Sequence, residues 1–259
     1  MPRYRLLIEY AGTRYSGWQI QRNARTVQGE IDRAIRTAFT PRTFELYGAG
    51  RTDAGVHALG QVAHLELYTS AAPQQMRRRL NDELPADINI IRIDTMPHRF
   101  HARHDAVSRS YLYQISRRRS AFGKPLVWWV RERLDLEAMR AAAVLFVGRK
   151  DFQSFTDDDP EEKSTVVVVD RLEIGEAGPL ILLRIVGSHF LWKMVRRIVG
   201  VLAAVGRGEI EPRRAADSLG KADVARLTAP AAGLFLERVF YPDDGAPEPL
   251  TPVLNMMNG

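Results

Sequence analysis

Residues 43–67 read TFELYGAGRTDAGVHALGQVAHLEL. The two ends, Thr43–Tyr47 and about Gln61–Leu67, are apolar enough to predict strands. Between them Gly48, Gly50 and Gly55 surround Arg51 and Asp53. Glycine permits unusual backbone angles and the close approach of another chain. The segment therefore reads as a strand–loop–strand unit that presents Arg51 and Asp53 at the lip of a sheet. It lacks both the G-K-[ST] ending of a Walker loop and the G-x-G-x-x-G spacing of a dinucleotide fingerprint. A tight hairpin with an ordinary Arg–Asp pair meets the same spacing.

Outward from this loop, strands and helices alternate. Upstream, Arg3–Tyr10 predicts a strand and Gly12–Gly17 a turn. Thr26 caps a helix over Val27–Phe39, with Val27, Ile31, Ala34, Ile35 and Ala38 at helical spacing. Downstream, Pro73 opens a helix to about Leu84, Pro85 stops it, and Asp87–Ile93 forms a strand. The order is β-α-β-β-α-β. The second half repeats it: a strand over Ser108–Ser116, a helix over Asp135–Val147, paired strands over Thr165–Ile174 and Leu180–Val186, a helix over His189–Val205 capped by Ser188, a short helix over Pro212–Leu219 and a last strand over Leu234–Tyr241. On the late helix Leu191, Met194, Val195, Ile198, Leu202 and Val205 form an apolar stripe. Lys193, Arg196 and Arg197 face largely away from it, Arg196 toward its edge. The expectation is an α+β protein of two ferredoxin-like βαββαβ halves, residues 1–105 and 106–245, followed by an irregular, proline-rich tail over 246–259.

The chain has 259 residues, 45% hydrophobic and 26% charged, which is the composition of a globular protein large enough to bury a core. It has no cysteine, which excludes disulfide frameworks, thiol catalysis and cysteine zinc sites and fits a reducing compartment. No apolar run reaches the ~20 residues of a membrane span, and Met1–Arg5 runs into a strand pattern without a signal-peptide region. A soluble, cytoplasmic protein is expected. The net charge is +6, and its distribution is uneven: residues 1–119 carry 19 basic and 11 acidic side chains, residues 120–259 carry 18 and 20. Of the 37 basic residues only five are lysine. An arginine-rich first half suits a polyanion such as nucleic acid, although a GC-rich genome produces the same excess. The triplets Arg77–Arg79 and Arg117–Arg119 are candidate phosphate contacts or solvated surface. His98, His101 and His104 enter an extended junction after Pro97, so three-residue spacing is not expected to bring them together as metal ligands.

The string Gly48–His57 resembles the signature loop of the tRNA pseudouridine synthases of the TruA family. Further stretches resemble the family's motifs in the same order: Gly17-Trp18-Gln19, Thr26-Val27-Gln28, Phe100-His101-Ala102-Arg103, Arg109 with Tyr111-Leu112-Tyr113, Asp151-Phe152-Gln153-Ser154-Phe155, Phe190–Gly200 and Gly233-Leu234. They span residues 4 to about 241. The resemblance implies a pseudouridine synthase fold, in which the two halves share a central, mostly antiparallel sheet and leave a cleft between them. It implies an isomerase that breaks a uridine's C1′–N1 bond, rotates the uracil and rejoins it through C5, on the 3′ side of the tRNA anticodon stem-loop, with no cofactor and no metal. Asp53 takes the position of the catalytic aspartate, as nucleophile or as base, and Arg196 that of its charge partner. Both roles are chemically sound, since a carboxylate at an anomeric carbon can trap or stabilise positive charge and a neighbouring arginine keeps it ionised. Tyr111 matches the active-site tyrosine, whose ring can stack on uracil and whose oxygen can move a proton. Arg51 would fill the space of the extruded base or hold a phosphate. The family also implies tRNA as partner, no membrane, and a homodimer.

The sequence departs from the family at Ala11, where an aspartate is usual, at His104, where an aromatic is usual, and in the acidic run Asp157–Glu162, which reads as a solvated loop. None of these touches Asp53, Tyr111 or Arg196. Three other functions stay open. One is a family paralogue acting on another RNA. A second is a non-catalytic RNA-binding protein, although no aromatic RNP1 string is present. The third is a glycosidase or nucleoside hydrolase, which would want a second carboxylate that the loop does not supply.

Overall fold

The computed structural model of the protein describes residues 1–162, 164–216 and 219–253. Two compact units divide the chain: one holds Met1–Val107 and Phe235–Asp244, the other Ser108–Leu234 and the chain from Gly245. Both are α+β, with mostly antiparallel strands.

The first unit contains β1 (Arg3–Tyr10), α1 (Val27–Phe39), β2 (Glu45–Gly48), β3 (His57–Glu66), α2 (Pro73–Glu83) and β4 (Ile88–Met96). In β1, burial alternates strictly: Tyr4, Leu6, Ile8 and Tyr10 point into the core, which is the period of a strand with one face covered. β1 lies between β3 and β4 and is antiparallel to both, with Leu6 opposite Ala63 and Ile93. β2 pairs antiparallel with the other edge of β3. The helix α1 begins and ends where its sequence predicts. The Thr26 hydroxyl accepts from Gly29 N at 3.2 Å, and Val27, Ile31, Ala34 and Ile35 are buried.

The second unit contains β5 (Ser108–Ser116), β6 (Trp128–Trp129), α3 (Leu136–Ala143), β7 (Gly148–Asp151), β8 (Val166–Ala177), β9 (Leu180–Gly187), α4 (Met194–Gly206) and α5 (Lys221–Arg226). Its strands run β5-β9-β8-β7, antiparallel throughout, with β6 added in parallel to β5. All eight residues of β9 are buried. The final strand, β10 (Leu234–Phe240), lies in the first unit from Phe235 onward and pairs there in parallel with β3, Phe235 opposite His57.

Several boundaries move from their expected places, each for a local reason. β3 starts at His57, not Gln61, because the polar His57 and Gln61 are buried with partners. His57 Nδ1 accepts from Gly12 N at 3.0 Å, and Gln61 Nε2 donates to Gly50 O at 3.0 Å. α4 starts at Met194, not His189, since Lys193 before it takes a left-handed conformation with φ 62°. Ser188 is not the cap of α4: its hydroxyl accepts from Val168 N at 3.4 Å and lies 3.1 Å from His189 Nδ1. The expected helix over 135–147 is α3 and one 3-10 turn, Val144–Phe146. Of the expected helix over 212–219, Pro212–Arg214 is a 3-10 turn and residues 217 and 218 lie outside the described residues. Of the tail, residues 246–253 are irregular, and 254–259 lie outside the described residues. The irregular part is nonetheless tied down: the buried Arg184 donates to Glu248 O at 2.7 Å, and Val253 N donates to Gln114 Oε1 at 2.8 Å. Among the described residues no helix is long and apolar enough to cross a membrane.

Candidate active site

The loop between β2 and β3 carries Arg51 and Asp53, and hydrogen bonds through Ala49 N, Gly50 O, Thr52 O, Asp53 O, Gly55 N and Val56 N hold its backbone. On the β3 side, Ala49 N donates to Val62 O at 2.7 Å, and Gly50 O accepts from Gln61. On the other side, residues 10–18 hold the loop. Trp18 N donates to Thr52 O at 3.1 Å, Gly55 N donates to Tyr15 O at 3.2 Å, and the Tyr10 and Thr52 hydroxyls lie 2.8 Å apart. Asp53 O accepts from Val56 N at 3.2 Å, closing a turn in which Gly55 sits at φ 77°. Backbone approaches are close. A Cβ on Gly12 would stand 1.9 Å from Val56 O, and one on Gly17, itself at φ 91°, would stand 2.5 Å from Thr52 O. Burial pushes the Tyr10 phenol far above its ordinary pKa, so it remains a neutral hydrogen-bonding group. On this fixed loop Asp53 is half-buried and Arg51 exposed.

Tyr111 and Arg196 belong to the second unit. Tyr111 lies on β5 opposite Ile185 of β9, half-buried, with its ring edge-on to Phe190 at 5.2 Å. Arg109, two residues earlier, donates to Ser188 O at 2.8 Å. Arg196 lies in the first turn of α4. Its Nε donates to Ala229 O at 2.8 Å, and its own carbonyl accepts from Ala229 N at 3.0 Å. The next residue, Pro230, accepts the Tyr113 hydroxyl at 2.7 Å. The segment 229–230 thus joins the strand that carries Tyr111 to the helix that carries Arg196.

Two expectations around α4 are corrected. Arg197 does not face away from the apolar stripe but is buried, at 2% exposure. The acidic run is not simply a solvated loop. Asp157 accepts from Lys193 Nζ at 2.8 Å and from Arg197 Nη2, and Asp158 accepts from Trp192 N at 3.0 Å. The two cations hold the Asp157 carboxyl below its usual range, the Lys193 hydrogen bond most strongly.

The histidines are a further correction. His101 and His104 do meet, with ring centroids 4.2 Å apart, and His64 of β3 lies 4.6 Å from His101. Residues 101–105 form a closed turn, not an extended junction: Asp105 N donates to His101 O at 3.1 Å, and the Asp105 carboxylate accepts from His101 N at 2.9 Å. Each Nδ1 is engaged as an acceptor, that of His64 from Ala102 N and that of His101 from Arg103 N and His104 N. Burial first, then the neighbouring His101, pulls His64 down to about 4. No group of three metal-ligating side chains among the described residues is arranged to hold an ion.

Sequence reasoning picked out Asp53 and Arg51 but not what holds them: Tyr10, Gly12, Tyr15 and Gln61. The available signals were slight: two glycines, 12 and 17, within six residues, and a glutamine inside an apolar strand.

A family model described as tRNA pseudouridine synthase matches residues 6–105 and 142–242. A protein of Allorhizobium ampelinum named tRNA pseudouridine synthase A is 40% identical over 252 residues, covering 95% of this chain and 97% of that one. Proteins of the same name from Afipia carboxidovorans and Maridesulfovibrio salexigens are 41% and 39% identical. The alignments cover 93% and 95% of this chain, and 100% and 92% of theirs.

Proposed function

This chain belongs to the tRNA pseudouridine synthase family, and we propose that Asp53 is the residue through which it isomerises uridine in tRNA. The C1′–N1 bond breaks, the uracil turns, and C5 bonds to C1′. The C5 proton leaves and N1 gains one, so the step consumes no oxidant and no second substrate. A carboxylate at C1′ serves either as a nucleophile or as a base at the sugar. The observation that carries this reading is the tethering of the Asp53 loop, in which the carbonyls of Gly50, Thr52 and Asp53 and the N–H of Gly55 are each hydrogen-bonded. A carboxylate held in advance needs no reorganisation as charge develops beside it.

Arg196 is the cation that keeps Asp53 ionised, and Tyr111 stacks on the extruded uracil. Arg51, exposed on the same loop, fills the space the base leaves. Extrusion costs a few kcal/mol, which contacts to the surrounding stem must offset. The exposed Arg77, Arg78 and Arg79 on α2 supply such contacts. The target is the 3′ side of the anticodon stem-loop, the enzyme is a cytoplasmic homodimer, and residues 1–105, 106–245 and 246–259 serve as the aspartate half, the tyrosine–arginine half and the tail. These finer points are supported by the family resemblance and, for the compartment, by the lack of cysteine.

The test is tritium release from tRNA labelled at uracil C5, with Asp53→Asn as comparison. Release by the native chain, and none by a variant that still binds tRNA, is expected. Binding without release by the native chain, or free uracil in solution, overturns the proposal.

A further inference from the structure

The start of α4 is held by two carboxylates from a distant loop. Lys193 sits at φ 62°, a left-handed conformation that a residue with a Cβ rarely adopts, and the helix begins immediately after it. Asp157 accepts from the Lys193 ammonium at 2.8 Å and from the Arg197 guanidinium, and Asp158 accepts from Trp192 N at 3.0 Å. Arg197 N in turn donates to Lys193 O at 3.0 Å. Residues 192, 193 and 197 are therefore fixed from outside the helix, and they bracket Arg196. The buried Arg197 has Nε and Nη1 without hydrogen-bond partners among the described residues, so Asp157 is the carboxylate that compensates its charge.

We infer that Asp157 is a positioning residue for the reaction: by clamping Lys193 and Arg197 together it sets the first turn of α4 and, through it, the direction of the Arg196 guanidinium. This rests on the role proposed above for Arg196. Asp157 touches neither substrate nor reacting atoms. It acts by holding the turn in which Arg196 meets Ala229. Groups that must lie within a fraction of an ångström of their working geometry depend on such supporting contacts.

The experiment compares the native enzyme with Asp157→Asn, Asp157→Glu, Arg196→Lys and the double variant Asp157→Asn/Arg196→Lys. Tritium release from tRNA is measured well below the melting temperature of each. The expected result for Asp157→Asn is a kcat about tenfold lower with KM for tRNA nearly unchanged, as for a group misplaced by part of an ångström. Asp157→Glu should regain part of the loss. In the Arg196→Lys background, Asp157→Asn should cost nothing further, because both act through one guanidinium. An unchanged kcat, a rise in KM alone, or losses that multiply in the double variant each overturn the inference. Should Asp157→Asn fail to fold, Lys193→Met replaces it. That variant removes the more exposed partner, keeps the Asp157–Arg197 pair, and must show the same kcat loss and the same non-additivity. A native chain that forms no pseudouridine overturns the proposed activity and this inference with it. An active native chain with indifferent variants overturns this inference alone.

Discussion

Replacing Gly17 by alanine tests whether the Asp53 loop is positioned by its backbone. The new Cβ would stand 2.5 Å from Thr52 O and 3.2 Å from Asp53 C. Ordinary van der Waals contact begins near 3.4 Å, so the Thr52 carbonyl must retreat by roughly 0.9 Å, beside the residue proposed to do the chemistry. Retreat also lengthens the bond that Thr52 O accepts from Trp18 N, now 3.1 Å. The φ of 91° adds left-handed strain for any residue with a Cβ, about 1–2 kcal/mol. With the overpacking, a total loss of about 2–5 kcal/mol in unfolding free energy is expected. A displacement near 1 Å at a reacting group costs up to about 100-fold in rate, so single-turnover tritium release should fall about 10- to 100-fold while tRNA binding persists. Gly50 in the same loop is the reference for stability. A Cβ there meets nothing within 4 Å and its φ is not positive, so Gly50→Ala should stay within about 0.5 kcal/mol of the native protein in urea unfolding. Gly17→Ala enzyme that is destabilised yet isomerises uridine at the native rate would refute the claim that this contact positions Asp53.

Two further outcomes are expected. His64 is depressed from 6.5 to about 4, so between those values the unfolded chain binds a proton that the folded chain refuses. His64 should therefore contribute roughly 2 kcal/mol more stability at pH 7 than at pH 5. The acid-induced loss measured by urea unfolding should be smaller by that amount in His64→Gln, and equal losses in the two proteins would refute it. Arg78 is exposed and has no carboxylate partner among the described residues. If it contacts phosphate, Arg78→Ala should reduce the slope of log K against log salt for tRNA binding by about 1, and an unchanged slope would remove it from the interface.

The parts of the fold that were legible in the sequence are those in which side chains report their surroundings. β1 could be read because Tyr4, Leu6, Ile8 and Tyr10 alternate with exposed or half-buried neighbours. α1 could be read to the residue because Thr26 accepts from Gly29 N and the apolar spacing has no interruption. β7 leaves no such trace, because Gly148–Asp151 is short and polar and has no buried residue. The start of β3 is hidden because its buried polar residues, His57 and Gln61, look like loop residues until their partners Gly12 and Gly50 are known. The start of α4 is not legible because the apolar pattern continues through Leu191, and only the φ of Lys193 ends it. The meeting of His101 and His104 is not legible in the sequence, because a turn over 101–105, closed by Asp105, brings together rings that an extended chain would separate. The same limit holds for the site. Asp53, Arg51, Tyr111 and Arg196 could be named from motifs, but Asp157 could not, since nothing in its sequence separation from Lys193, 36 residues, marks them as partners.

The proposed catalytic groups on the two units share one manner of support. Around Asp53 the holding contacts come from residues 10–18 and from Gln61 and Val62, and around Arg196 from Ala229, and in both places main-chain groups make most of them. Main-chain donors and acceptors are available at nearly every position, so this support constrains the sequence only where a side chain would intrude, as at Gly12 and Gly17 beside the aspartate loop. That accounts for a site whose neighbours are bland in sequence. It also predicts where substitution is tolerated: a change of side chain at a supporting position does little unless it adds volume between two backbones. Asp157 and Asp158 are the exception: where α4 starts, after the left-handed Lys193, two side-chain carboxylates make the contacts.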